Sequence, residues 1–144
     1  MYRIRDGQLE VLAVHPGGPY WAKKDRGSWF VPKGEIEPGE DEFSAAKREF
    51  REETSFEPHG PFLDLGEVEH KSGKLVHAWA FEGDCDPAKI VSNTFTMEWP
   101  PKSGKQQSFP EIDRAAFLDL AAAREKLHPA EFEFVERLQD AVKR

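Results

Sequence analysis

The chain contains one cysteine, Cys85, among its 144 residues, so it can form no internal disulfide. That cysteine sits in the acidic turn Asp84-Cys85-Asp86-Pro87, where like-charge repulsion raises a thiol pKa and marks a spectator. A run of about 18 apolar residues, the length that would signal a membrane-spanning helix, is also missing. The N-terminus enters the strand-like Met1 to Arg5 with no charged-then-apolar region, so the expectation is a cytoplasmic protein with no membrane partner. Basic charge is in short supply: Lys and Arg number 20 against 27 Asp and Glu, for a formal net charge of -7. That balance argues against a nucleic-acid polymer held through its phosphates. It leaves room for a small phosphate-bearing molecule, because bound cations can neutralise acidic side chains and phosphates together. Repeats and low-complexity tracts are absent as well, and the length suits a single domain over residues 1–144.

What is present reads as alternating strands and helices. Arg3 to Arg5 and Glu10 to His15 form a hairpin around Asp6-Gly7, a strong turn signal between apolar runs. His15-Pro16-Gly17-Gly18-Pro19 breaks regular structure, and Ser28 to Val31 leads as a short strand into Pro32-Lys33-Gly34. A helix is expected from about Asp41 to Glu53, its N-terminal side loaded with Glu35, Glu37, Glu40, Asp41 and Glu42 as the helix dipole favours. Phe62 to Val68 and Lys74 to Glu82 read as two strands joined near Ser72-Gly73. Asp84 to Pro110 is less regular, with one strand at Thr94 to Trp99 and a turn at Pro100 to Lys105, and reads as a substrate-facing loop. Asp113 to Lys126 and Pro129 to Lys143 are predicted helices, the second with Phe132, Val135, Leu138 and Val142 on one stripe. This order implies an α/β (α+β) fold with helices packed on a mixed β-sheet.

Within the first helix, Arg48-Glu49-Phe50-Arg51-Glu52-Glu53 sets three carboxylates at i, i+3 and i+4. At 3.6 residues per turn they share one face, where like charges repel unless something positive sits between them. Oxygen-only donors favour a hard divalent cation, Mg²⁺, Mn²⁺ or Ca²⁺, over zinc. A solvated helix face with ion pairs is the bland alternative, but Arg48 and Arg51 are the only close basic partners and Phe43, Ala46 and Phe50 bury the adjacent stripe.

The surrounding residues resemble the Nudix box: Gly34, five residues, Glu40, seven residues, then Arg48, Glu49, Phe50, any residue, Glu52, Glu53, any residue, Ser55 and Phe56. Ser55 is the one departure, standing where the family has glycine at a left-handed helix end. The resemblance implies an α-β-α sandwich, with a mixed sheet flanked by helices. It also implies a metal-dependent pyrophosphohydrolase that uses Mg²⁺ (or Mn²⁺) to break a phosphoanhydride bond in a nucleoside diphosphate linked to another group. By that resemblance Glu49, Glu52 and Glu53 are metal ligands, Glu49 alternatively acting on the attacking water, and Arg48 orients a glutamate through an ion pair, with Glu40 as its partner. Gly34 and Gly39 would permit the sharp path of the loop, since glycine reaches positive φ without steric cost. The Lys33 carbonyl matches a further ligand of some relatives. Glu111, six residues before Phe117, matches a late carboxylate that serves as ligand or general base, with Glu98 and Glu67 as other candidates.

Pro32-Lys33-Gly34-Glu35 resembles the entry of Nudix enzymes acting on dinucleoside polyphosphates or diphosphoinositol phosphates, and Lys33 is placed to touch a phosphate. Tyr20, Trp21 and Trp99 offer faces for a base, whereas Trp29 reads as core. His77 reads as structural, and His15 as a weak site candidate. Two rival readings stand beside the hydrolase, a small-nucleotide enzyme expected to be a monomer or homodimer. One is a non-catalytic Nudix-like module that binds a nucleotide or protein, against which so much unpaired carboxylate speaks. The other is prenyl diphosphate isomerisation, which needs a pocket cysteine that Cys85 matches poorly.

Overall fold

The acidic helix is held at both ends by local chemistry. In the computed structural model, which describes residues 1–33 and 38–143, it spans Glu42–Thr54 (α1). The Asp41 carboxylate accepts from Ser44 N at 2.7 Å and caps its start. Ser55 closes it in the left-handed region, φ 65°, its N–H donating to the Arg51 carbonyl. On one face Phe43 and Phe50 pack edge-on against Phe62 and Phe81. Burial of a phenylalanine of this kind is worth roughly 1.5–3 kcal/mol.

The strands on which α1 lies begin with β1 (Tyr2–Arg5) and β2 (Gln8–Pro16), joined through Asp6 and Gly7, both at positive φ, in the hairpin the sequence predicts. β3 (Leu63–Glu69) and β4 (Leu75–Ala80) form a second antiparallel pair. A parallel bridge from Tyr2 to Glu82, with Tyr2 N–H on the Phe81 carbonyl, ties that pair to β1 and makes the strand arrangement mixed. β5 (Thr94–Glu98) and β6 (Gln106–Pro110) make a separate hairpin arm. β7 (Ile112–Leu118) then returns to pair antiparallel with β2, and α2 (Leu120–Lys126) and α3 (Pro129–Val142) complete the described chain.

Alternation along β2 sorts the core into two layers. Val11 and Ala13 join Leu65, Val68, Phe134, Val135 and Leu138 in a cluster built largely with α3. Leu12, between them, joins Phe50 and Phe81 in a second cluster with α1. A strand buried on both faces is the signature of a sheet covered by helices on both sides.

Three expectations need correction. Asp113 to Lys126 is not one helix: its first half is β7, with Leu12 opposite Phe117 and Ala13 opposite Ala116. Ala and Leu favour helix, but the propensity is weak, and pairing with buried β2 overrides it. Asp119, whose side chain accepts from Ala122 N at 2.8 Å, starts the short helix that remains. The Gln106 to Pro110 stretch, read as irregular, is the partner strand of β5. Ser28 to Val31 is not a ladder strand: it makes isolated bridges, Phe30 to Val14 and Trp29 to Leu127.

Candidate metal and phosphate site

Arg48 organises the acidic face of α1. Its Nε and Nη2 donate to the two Glu40 oxygens at 2.8 and 3.0 Å, a fork-to-fork pair, while Nη1 donates to Glu49 Oε1 at 2.8 Å and Glu52 Oε2 at 3.0 Å. The hydrogen bonds it donates to Glu40, then to Glu52 and Glu49, outweigh burial and hold the guanidinium more firmly charged than usual. Gly39, at φ +80°, carries the turn that delivers Glu40 to it. Gly34 lies outside the described residues, as do Glu35 and Glu37.

Glu53 faces inward and is buried. Its Oε2 accepts the backbone N–H of Lys33 at 2.9 Å. Burial above all, with the Glu49 and Glu111 charges adding to it, pushes Glu53 up to about 8 against a partial offset from that hydrogen bond. Glu49 is raised too, by burial first, with Glu52 and Glu111 adding and Arg48 opposing. Glu111 is exposed and its charge reaches both carboxyls. Its place is set by main chain: Glu111 N–H donates to the Asn93 carbonyl at 2.8 Å, and Asn93 N–H donates to the Glu52 carbonyl at 3.0 Å. On the other side Gly17 N–H donates to the Glu111 carbonyl at 2.8 Å. A Cβ on Gly17 would stand 2.0 Å from the Pro110 oxygen, so this approach requires glycine.

The structure therefore brings Glu40, Arg48, Glu49, Glu52, Glu53 and Glu111 into one electrostatic neighbourhood. Its donors suit a divalent cation: they are carboxylate oxygens, one guanidinium is shared among Glu40, Glu49 and Glu52, and burial first, then neighbouring carboxylate charge, drives Glu49 and Glu53 toward their neutral forms.

Lys33 is placed differently from expectation. Its ammonium is paired with the carboxylate of Glu131, lies 4.1 Å from the centre of the Phe30 ring, and is pushed toward a lower pKa by burial despite the Glu131 charge. Glu131 was not foreseen, although it stands three, four and seven residues before Phe134, Val135 and Leu138, on the buried stripe of α3. A charge inside an apolar stripe was the available signal. Tyr20 and Trp99 meet edge-on at 5.3 Å between centroids, the latter just past β5. His15 is fully buried between Asp113 and the Lys24 carbonyl, at 2.8 and 2.6 Å, and is part of the interior framework. Trp29 is core. Cys85 is partly buried, and burial, then Asp84, raises its thiol.

Among the described residues, the group of three whose ligand atoms all lie within 4.8 Å of one another is Glu42, Glu67 and His77. His77 explains it: Nδ1 lies 2.8 Å from Glu42, Nε2 lies 2.6 Å from Asp64, and the ring stacks on Trp79. A cavity of about 410 Å³ lies on the apolar side of α1, walled by Phe43, Phe50, Phe62, Trp79 and Phe81, and includes none of the carboxylates Glu49, Glu52, Glu53 or Glu111. Among the described residues no helix is long and apolar enough to cross a membrane.

Known structures share this fold at low identity. An Ap4A hydrolase of C. elegans in a binary complex superposes with a TM-score of 0.66 at 21% identity, over 98% of this chain and 92% of that one. The NUDIX domain of Shewanella oneidensis NrtR complexed with ADP ribose gives 0.65 at 15% identity, over 99% and 83%. The MutT protein of Methanosarcina mazei Go1 gives 0.58 at 21% identity, over 99% and 93%. No curated protein matches the chain. A family model of the NUDIX domain matches residues 1–138, and with it the chain belongs to the Nudix family.

Proposed function

We propose that this protein is a Mg²⁺-dependent hydrolase that breaks a phosphoanhydride bond in a nucleoside diphosphate linked to another group, a dinucleoside polyphosphate or a nucleoside triphosphate being the leading candidates. The observation that carries the reading is the acidic face of α1, where Arg48 binds Glu49 and Glu52 while Glu53 is buried on the Lys33 N–H with Glu111 within electrostatic reach. Nudix proteins are typically pyrophosphohydrolases that use divalent metals, and one structural neighbour is an Ap4A hydrolase.

Glu49, Glu52, Glu53 and Glu111 would hold the metal. When bound, Mg²⁺ supplies charge neutralisation for substrate phosphates and activates water. The protein's own part is orientation: Arg48 holds Glu49 and Glu52 in one direction from Glu40, and the Lys33 N–H fixes one oxygen of Glu53, leaving the other for a ligand. Glu111, on an exposed segment anchored by its main chain, would alternatively receive a proton from the attacking water in place of binding the metal. Tyr20 and Trp99 would provide ring faces for a base near the β5–β6 arm.

The test is Mg²⁺-dependent product release from dinucleoside polyphosphates, nucleotide sugars, NADH, ADP-ribose and dNTPs, run beside Glu53→Gln. Turnover of one class, lost in the variant, is the expected result. Equal rates in both proteins, or none with any substrate, would sink the assignment.

A further inference from the structure

Glu131 has no solvent exposure, and a buried carboxylate is costly unless it is well satisfied. Its partners are specific. Oε1 accepts the Val31 N–H at 2.9 Å, Oε2 pairs with the Lys33 ammonium, and His70 Nε2 lies 3.1 Å from Oε2. Around them Phe30 stacks on His128 and His128 on His70. Two of the three partners belong to the three-residue segment Val31 to Lys33. The same segment delivers the Lys33 N–H to Glu53, a residue buried on the far side of it on α1.

Lys33 is thus fixed at both ends: its side chain on α3 and its amide on α1. Stability alone does not call for a charge here, since a buried ion pair is often replaced by apolar residues at no loss. What an apolar pair cannot do is hold an amide N–H of Val31 and an ammonium of Lys33 at once, which fixes the segment in position and direction.

We propose that Glu131 is a positioning residue for the carboxylate site: from α3 it sets the Val31–Lys33 segment, and through the Lys33 N–H it orients Glu53. This rests on the reading of Glu53 as a metal ligand. Groups one step removed from a metal change its affinity by about 10–100-fold when altered.

The test is Mn²⁺ binding by the full chain, read from the electron paramagnetic resonance signal of unbound Mn²⁺, with folding checked by circular dichroism. Glu131→Gln retains an oxygen for Val31 N–H but loses the charge that holds Lys33, and should weaken Mn²⁺ by about 10-fold or more. Glu53→Gln should weaken it further, and the double variant should be no weaker than Glu53→Gln alone, because Glu131 acts through Glu53. If Glu131→Gln does not fold, Glu131→Leu with Lys33→Met replaces the pair by apolar groups, and the same 10-fold loss is expected. Wild-type affinity in a folded Glu131 variant, or full additivity in the double, overturns the positioning role while leaving the site intact. Wild-type affinity in Glu53→Gln overturns the site reading itself, and this inference with it.

Discussion

The backbone N–H of Lys33 donates to Glu53 Oε2 at 2.9 Å, joining the segment before the acidic loop to the last turn of α1. The bond uses one oxygen of a carboxyl whose burial pushes it up to about 8. Without a cation that group holds its proton at neutral pH; a divalent ion would displace the proton, so affinity should climb with pH through this range. The arrangement unites two features that lie apart in sequence, the entry segment before the acidic loop and a helical carboxylate.

Arg48 is bonded to Glu40, Glu49 and Glu52 together, and the bidentate half of that set needs a planar guanidinium. Arg48→Lys should therefore lower kcat by about 10–100-fold on the identified substrate, close to the effect of Arg48→Gln. Recovery of most activity by lysine would show that charge alone suffices.

Ser55 holds φ 65° at the end of α1, where its family has glycine. Left-handed backbone costs a residue with a Cβ about 1 kcal/mol, part of which glycine returns as unfolded-state entropy. Ser55→Gly should raise Tm by about 1–3 °C and leave kcat within twofold, because none of the box carboxylates is touched. A lower Tm in differential scanning calorimetry contradicts the strain.

His77 joins the first turn of α1 to β3 through Glu42 and Asp64. Burial disfavours its charged form, but the hydrogen bonds and charges of Asp64 and Glu42 outweigh it and raise the pKa. A pKa raised on folding contributes stability that is fully present below the unfolded value of about 6.5 and is lost as pH rises through the folded one. The Tm gap between the protein and His77→Asn should then be wide at pH 6 and narrow by pH 8.5. A gap that does not change with pH removes the charged latch.

Legibility followed the range of the forces involved. The opening hairpin, α1, the left-handed Ser55 and the β3–β4 pair were readable because each is decided by neighbours a few residues away. The same locality exposed the carboxylate face, while the Arg48–Glu40 pairing, eight residues apart, came from the resemblance to the Nudix box. β7 was misread because its helix-favouring alanines and leucine answer to β2, about a hundred residues earlier. Lys33 was read as facing a phosphate, whereas its ammonium lies on Glu131, which the sequence carries 98 residues later.

The sequence by itself determined the box: residue types and spacings that place Glu49, Glu52 and Glu53 on one helical face beside Arg48, since helical geometry follows from spacing alone. Tertiary structure decided the environment of those groups. Burial and Lys33 single out Glu53, Asn93 and Gly17 bring Glu111 near, and α3 supplies Glu131 beneath the entry segment. Desolvation and long-range hydrogen bonds depend on which distant segments pack together, and no local pattern of residues encodes that meeting.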